Sequence, residues 1–144
     1  MKTLYVMRPV TNAEEIMEWA KKNKFINILK PSDVHVTVVH SKKKVEWSKL
    51  IKPKDRINIF NKERSIKVLG EATVLSFKSK ALQDRWQYFK DNGASWDYDT
   101  YTPHITISYV KQYITLKDVR PYIGDIILGQ EVWDELDEDW KKDK

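Results

Sequence analysis

Apolar and polar residues alternate at the start of the chain around Leu4 and Val6, and this period of two predicts a strand over residues 3–10. The pattern then changes. Ile16, Trp19 and Ala20 form an apolar stripe at helical spacing, behind Asn12 as N-cap and with Glu15 three residues on to complete a capping box. Glu14, Glu15 and Glu18 lie early in that segment and Lys21, Lys22 and Lys24 late, which suits the helix dipole. Pro31-Ser32-Asp33 breaks the chain before a β-branched run over 34–41. Residues 56–77 read as short strands, with Gly70 parting 65–69 from 71–78 as a hairpin or sharp bend. Ser79 caps a second helix with Leu82, Trp86 and Phe89 at helical spacing, and Gly93 stops it. A strand over 104–110 follows Pro103, residues 124–132 read as a last strand, and the end is polar.

These elements repeat in order. Strand, helix and histidine-bearing strand occur around Leu4, Trp19 and His35, and again around Thr73, Trp86 and His104, at offsets of 69, 67 and 69 residues. The expectation is an α+β, bilobal, pseudo-twofold fold with antiparallel sheets around a central cleft and helices outside. A chain of 144 residues fits one domain, 1–144, in which each lobe contributes one histidine.

The chemistry concentrates in those strands. Two of the three histidines stand in the pattern His–aliphatic–Thr–aliphatic, as His35-Val36-Thr37-Val38 and His104-Ile105-Thr106-Ile107. Residues two apart on a strand share a face, so His35 and Thr37 point one way and Val36 and Val38 into a core. His104 and Thr106 repeat the geometry. A polar pair opposite a branched aliphatic pair is expensive unless its face lines a cleft. Two such matches among three histidines arise by chance well under about one time in a thousand. The bland alternative is a pair of hydrogen-bonded histidines on a half-buried sheet, and the duplication weighs against it.

Other sites fare worse. His40 lies five residues from His35, so on a regular strand the two face opposite ways and share no metal, and neither motif brings a carboxylate at ligand spacing. Ser41 and Ser108 lack the glycines of a nucleophile elbow. With four glycines in the chain, no loop is built to cradle phosphates. What remains is an acid–base pair. Histidine takes or gives a proton near neutral pH, so the two can serve as base and acid, with the neighbouring threonine hydroxyls as hydrogen-bond donors to developing charge. Such a pair requires neither a metal nor another cofactor, and which histidine is base stays open.

Composition narrows the partners. Apolar residues at 41% supply a core, charged residues at 33% keep the chain soluble, and zero cysteines removes disulfides and thiolate chemistry. No long apolar run or signal-peptide pattern stands in the sequence, so a cytoplasmic protein without a membrane segment is expected. The net charge of +5 is uneven: residues 42–67 hold ten Lys/Arg against three acids, and residues 131–144 hold seven acids against three lysines. The basic field favours polyanionic partners such as nucleotides or RNA, or is simply a solvated loop. Among six tryptophans, Trp19 and Trp86 sit at apolar helix positions, whereas Trp140 stands in a context too polar to bury itself.

The motifs HVTV and HITI resemble the signature of the two-histidine (2H) phosphoesterase superfamily. The start Leu4-Tyr5-Val6, the Asn12-Ala13-Glu14-Glu15 helix and the ending Asp137-Glu138-Asp139-Trp140 are similar to the phage anti-CBASS phosphodiesterases. That resemblance implies a 2H fold, a cyclic oligonucleotide substrate, no obligate protein partner and, for a phage-encoded chain, the host cytoplasm. It implies catalysis by His35, Thr37, His104 and Thr106, and base contacts from Tyr5 and Trp140. An acidic base contact is expected among Glu131, Asp134 and Glu135. The alternatives are a phosphodiesterase for RNA 2′,3′-cyclic ends or 2′–5′ linkages, and a nucleotide-binding module without catalysis.

Overall fold

The computed structural model describes residues 1–136. Among them, strands β1 (Lys2–Pro9), β2 (His35–Val45), β3 (Ile57–Ile59), β4 (Arg64–Leu69), β5 (Ala72–Phe77), β6 (His104–Ser108), β7 (Ile126–Leu128) and β8 (Val132–Asp134) accompany two helices, α1 (Ala13–Lys22) and α2 (Lys80–Asp91). The strands form three sheets, ordered β2-β1-β8, β3-β7 and β4-β5-β6, with antiparallel pairing throughout. The fold is α+β, as the repeated order predicts. In each half a strand, a helix and a histidine strand follow one another, as β1-α1-β2 and β5-α2-β6. Each pair of strands is hydrogen-bonded. Among the described residues, no helix is long and apolar enough to cross a membrane.

Alternation sets the faces. Leu4 and Val6 on β1, Val36 and Val38 on β2, and Ile105 and Ile107 on β6 are wholly buried and meet Ile16, Leu82 and Phe89 of the helices in one apolar core. Tyr5 and Met7, with His35, Thr37, His104 and Thr106, lie half-buried on the other face of their strands. Ser79 caps α2 by accepting from the Leu82 N–H at 3.2 Å. Gly70, at φ +62°, turns the β4–β5 hairpin, and Gly93, at φ +98°, follows α2, both in the left-handed region that glycine enters without strain.

Both histidine strands carry a bulge at the same place. Along β1–β2, Met7 pairs with Thr37 but Val6 with Val39, which leaves Val38 as an extra residue. Along β5–β6, Val74 pairs with Thr106 but Thr73 with Ser108, leaving Ile107 extra. A bulge resets the alternation. His40 therefore lies on the same face as His35 and Thr37, directly across from Tyr5, and not on the opposite face as regular alternation predicts. Val38 and Val39 are both buried because of it.

Two further expectations change. Asn12 stands at the N-cap position, yet its side chain caps nothing: its amide donates to Asp125 O at 2.7 Å and its carbonyl accepts from Ile127 N–H at 3.1 Å. Pinning α1 to β7 displaces the local cap. The strand expected over 124–132 is two strands in different sheets, β7 with β3 and β8 with β1. The break falls at Gly129 to Glu131, where the Glu131 side chain is drawn into the interior by Arg85 at 2.7 Å.

Candidate active site

The two motifs meet where β2 and β6 approach each other. Each histidine is held in the same way. His35 Nδ1 lies 2.8 Å from the Asp33 carbonyl, and His104 Nδ1 lies 2.8 Å from the Thr102 carbonyl. A carbonyl only accepts, so each Nδ1 carries a hydrogen, and a neutral ring then presents a bare Nε2. Pro31 to Asp33 forms a short 3-10 turn that aims the Asp33 carbonyl back at His35. Pro103 stands just before β6, and a proline disfavours helical backbone at the residue before it, here Thr102.

Tyr5 completes the first motif. Its hydroxyl lies 3.1 Å from His35 Nε2 and 3.0 Å from Thr37 Oγ1. With neutral His35 the hydroxyl donates to Nε2 and accepts from Thr37, and with a charged ring the chain of donors reverses. Burial pushes the Tyr5 phenol above its ordinary value, so it keeps its proton near neutral pH. Tyr109, which sequence reasoning passed over, touches the second motif at its threonine: its side chain hydrogen-bonds Thr106, and burial raises its phenol too. It stands five residues after His104 as His40 stands after His35, and a bulge-aware reading of the repeat would have found both.

Electrostatics act on His104. Burial pulls the His104 pKa below its ordinary value, the Thr102 hydrogen bond offsets part of this, and the nearby His35 lowers it further. His104 is thus held toward its neutral form. Among the described residues, no group of three His, Asp or Glu side chains comes together as a metal would require.

The three acids part company. Glu131, 2% exposed, accepts a fork from Arg85 at 2.7 and 2.9 Å and a bond from the Trp133 indole at 3.0 Å, with Arg8 at 3.7 Å. It faces inward and is structural. Asp134 pairs with Tyr5 across β1–β8, which places it on the motif face, and Glu135 is exposed beyond the strand. Trp140, expected to stack on a base, lies outside the described residues. A concavity of about 720 Å³ between α1 and the 120–124 segment, floored by Trp19 and Tyr122, contains none of the motif residues.

A family model described as anti-CBASS protein Acb1 matches residues 2–143. The chain belongs to the anti-CBASS Acb1 family. It is 36% identical over 152 residues to an anti-CBASS protein Acb1 of Caulobacter sp. (strain RHG1), covering 96% of this chain and 23% of that protein. With its counterpart from Sphingomonas paeninsulae it is 38% identical, over 97% of this chain and 24% of the other. The chain thus spans about a quarter of the length of these two relatives. The Acb1 of Enterobacteria phage T4 is 36% identical over 80 residues, or 51% of this chain and 47% of that one. In three dimensions the chain is similar to E. coli LigT complexed with 3′-AMP, with a TM-score of 0.61 at 11% identity over 94% of this chain and 95% of the other. That likeness bears on the fold, which is the 2H phosphoesterase fold the paired motifs led us to expect.

Proposed function

We propose that this Acb1-family protein is a metal-independent phosphodiesterase that opens 3′–5′-linked cyclic oligonucleotide messengers and so blocks CBASS antiviral signalling. The observation that carries this reading is the matched pair of histidines, each with Nδ1 held by the carbonyl two residues earlier, which makes Nε2 the acid–base atom, met in His35 by the Tyr5 hydroxyl. Residues 1–144 act as one domain in which each half supplies one His-x-Thr pair.

His104, held toward neutrality, is the base. It takes the proton of a ribose 2′-hydroxyl as that oxygen attacks the adjacent phosphorus. The P–O5′ bond breaks and His35 gives its proton to the departing O5′, leaving a linear product with a 2′,3′-cyclic phosphate. Water then attacks phosphorus as His35 takes its proton, the P–O2′ bond breaks, and His104 returns its proton to O2′. A 3′-phosphate results. Thr37 and Thr106 donate to the phosphate oxygens. Tyr5, with Asp134 beside it, and Trp140 contact the bases.

The test is incubation with a panel of cyclic di- and trinucleotides and of RNA 2′,3′-cyclic and 2′–5′ ends, with product analysis after chelation. Cleavage of the rings to 3′-phosphates, unaffected by chelator, is expected. His35→Ala and His104→Ala should each lower turnover by on the order of 10²-fold or more while the fold survives. A near-native rate in either variant, or recovery only on adding Mn²⁺ or Zn²⁺, would overturn the reading.

A further inference from the structure

Tyr101 touches both halves of the molecule. It is 5% exposed, and its hydroxyl donates to the Thr37 backbone carbonyl at 2.6 Å, 64 residues away in sequence. That carbonyl precedes Val38, where the bulge disrupts the β1–β2 ladder. On the other side, the Tyr101 carbonyl accepts from the Gln83 amide of α2 at 2.6 Å, and its ring stacks on Trp86 with centroids 5.9 Å apart and planes 8° from parallel. One residue further on, the Thr102 carbonyl holds His104 Nδ1. The backbone of motif one and the orienting carbonyl of motif two therefore hang from adjacent residues. A reciprocal tie runs the other way, from the Leu29 N–H of the first half to the Ile107 carbonyl at the second bulge, at 3.0 Å.

We propose that Tyr101 is a positioning residue that fixes the spacing of the two His-x-Thr motifs by bracing the Thr37 carbonyl against the segment that orients His104. The catalytic half of this inference rests on the phosphodiesterase reading, while its structural half does not. Burial pushes the Tyr101 phenol far above its ordinary value, so it keeps its proton and donates at every working pH. Released from the strut, the motif strands part and water reaches His104. The burial that depresses that ring then lessens. A misplacement on the order of 1 Å at a catalytic pair is enough to slow a reaction by about a hundredfold.

The test is Tyr101→Phe, which keeps the ring stack and removes only the donor. With cyclic di-AMP as probe, we expect kcat to fall about tenfold and KM to stay within about twofold. In ¹⁵N-imidazole spectra of the ligand-free protein, the His104 titration should move up toward the ordinary histidine value. An unchanged kcat, or an unmoved His104 titration, overturns the inference, and a loss of melting temperature alone would mark Tyr101 as a packing residue. The spectra need no substrate, so failure of the wild type to cleave the probe would count against the phosphodiesterase reading and leave the strut tested. If Tyr101→Phe does not fold, Gln83→Ala loosens the same clamp from the exposed side of α2. It should shift both readouts the same way by a smaller amount, and no shift in either would again overturn the inference.

Discussion

Glu131→Gln is the sharpest test of how the acidic residues near the C-terminus divide their labour. The substitution keeps the volume, so no cavity forms, but it removes the negative charge between Arg85 and Arg8. Arg8 is 1% exposed, and its other acidic partner, Asp55, lies at 3.4 Å with its side chain 66% exposed, so water screens the compensation it offers. Removing one partner of a buried ion pair costs about 3–5 kcal/mol, because the remaining charge stays desolvated. A domain of this size has about 5–15 kcal/mol in all. At roughly 2–4 °C per kcal/mol, the melting temperature should drop by roughly 6–20 °C. Urea unfolding followed by circular dichroism would measure the loss as a shift in midpoint at constant slope. Below the new transition, affinity for a cyclic dinucleotide should be unchanged within about twofold, since Glu131 faces the core side of the sheet and not the motif face. A loss under about 1 kcal/mol together with weakened binding would refute the structural role and return Glu131 to the list of base contacts.

Thr37→Val and Thr106→Val should slow turnover while leaving affinity largely intact, and rapid-quench kinetics with an equilibrium binding measurement separates the two effects. With its pKa depressed in the fold, His104 stays neutral to lower pH than a free histidine, so the acidic limb of the kcat/KM profile should lie below about 6.5. Stability follows the same sign: the unfolded chain binds the proton first, so the contribution of His104 is present above about 6.5 and is lost as pH falls through the folded value. His104→Gln should remove that part of the pH dependence in urea unfolding. Trp140→Ala should weaken cyclic dinucleotide binding by roughly ten- to a hundredfold, the loss of one base–aromatic stack, with little effect on the melting temperature of the free protein.

Much of the fold was legible because strands and helices were strongly patterned. Ser79, Gly70 and Gly93 did at their positions what their chemistry predicts, since each acts through local backbone geometry. Asn12 did not, because its side-chain amide bonds the backbone of Asp125 and Ile127, more than a hundred residues away. The run over 124–132 was apolar enough to read as one strand. The split falls beside Glu131, whose side chain turns inward to Arg85, and such a long-range ion pair leaves no mark in local sequence. Of the three candidate acids, parity along β8 separates Asp134 from its neighbours once Tyr5 is known to be its partner.

The site shows where alternation succeeds and where it stops. His35 and Thr37 precede the bulge, as do His104 and Thr106, so counting by two places all four correctly. Past Val38 and Ile107 the count is off by one, so regular alternation puts His40 on the wrong face and passes over Tyr109. The bulges sit 69 residues apart, at the same offset as the histidines, and that coincidence argues that they belong to the repeat and are not defects of either strand. A bulge bends its strand and leaves ladder groups to be satisfied from elsewhere. In each half the partner comes from the other: the Tyr101 hydroxyl reaches back to Thr37, and the Leu29 N–H reaches forward to Ile107. The bends that bring the two His-x-Thr pairs together are therefore also the places where the halves are tied. An altered register at either bulge should displace a threonine and loosen a tie at once, so deletion of Val38 should harm activity more than its lost apolar burial predicts. A variant that lost Val38 yet kept native turnover would show the bulge to be incidental to the site.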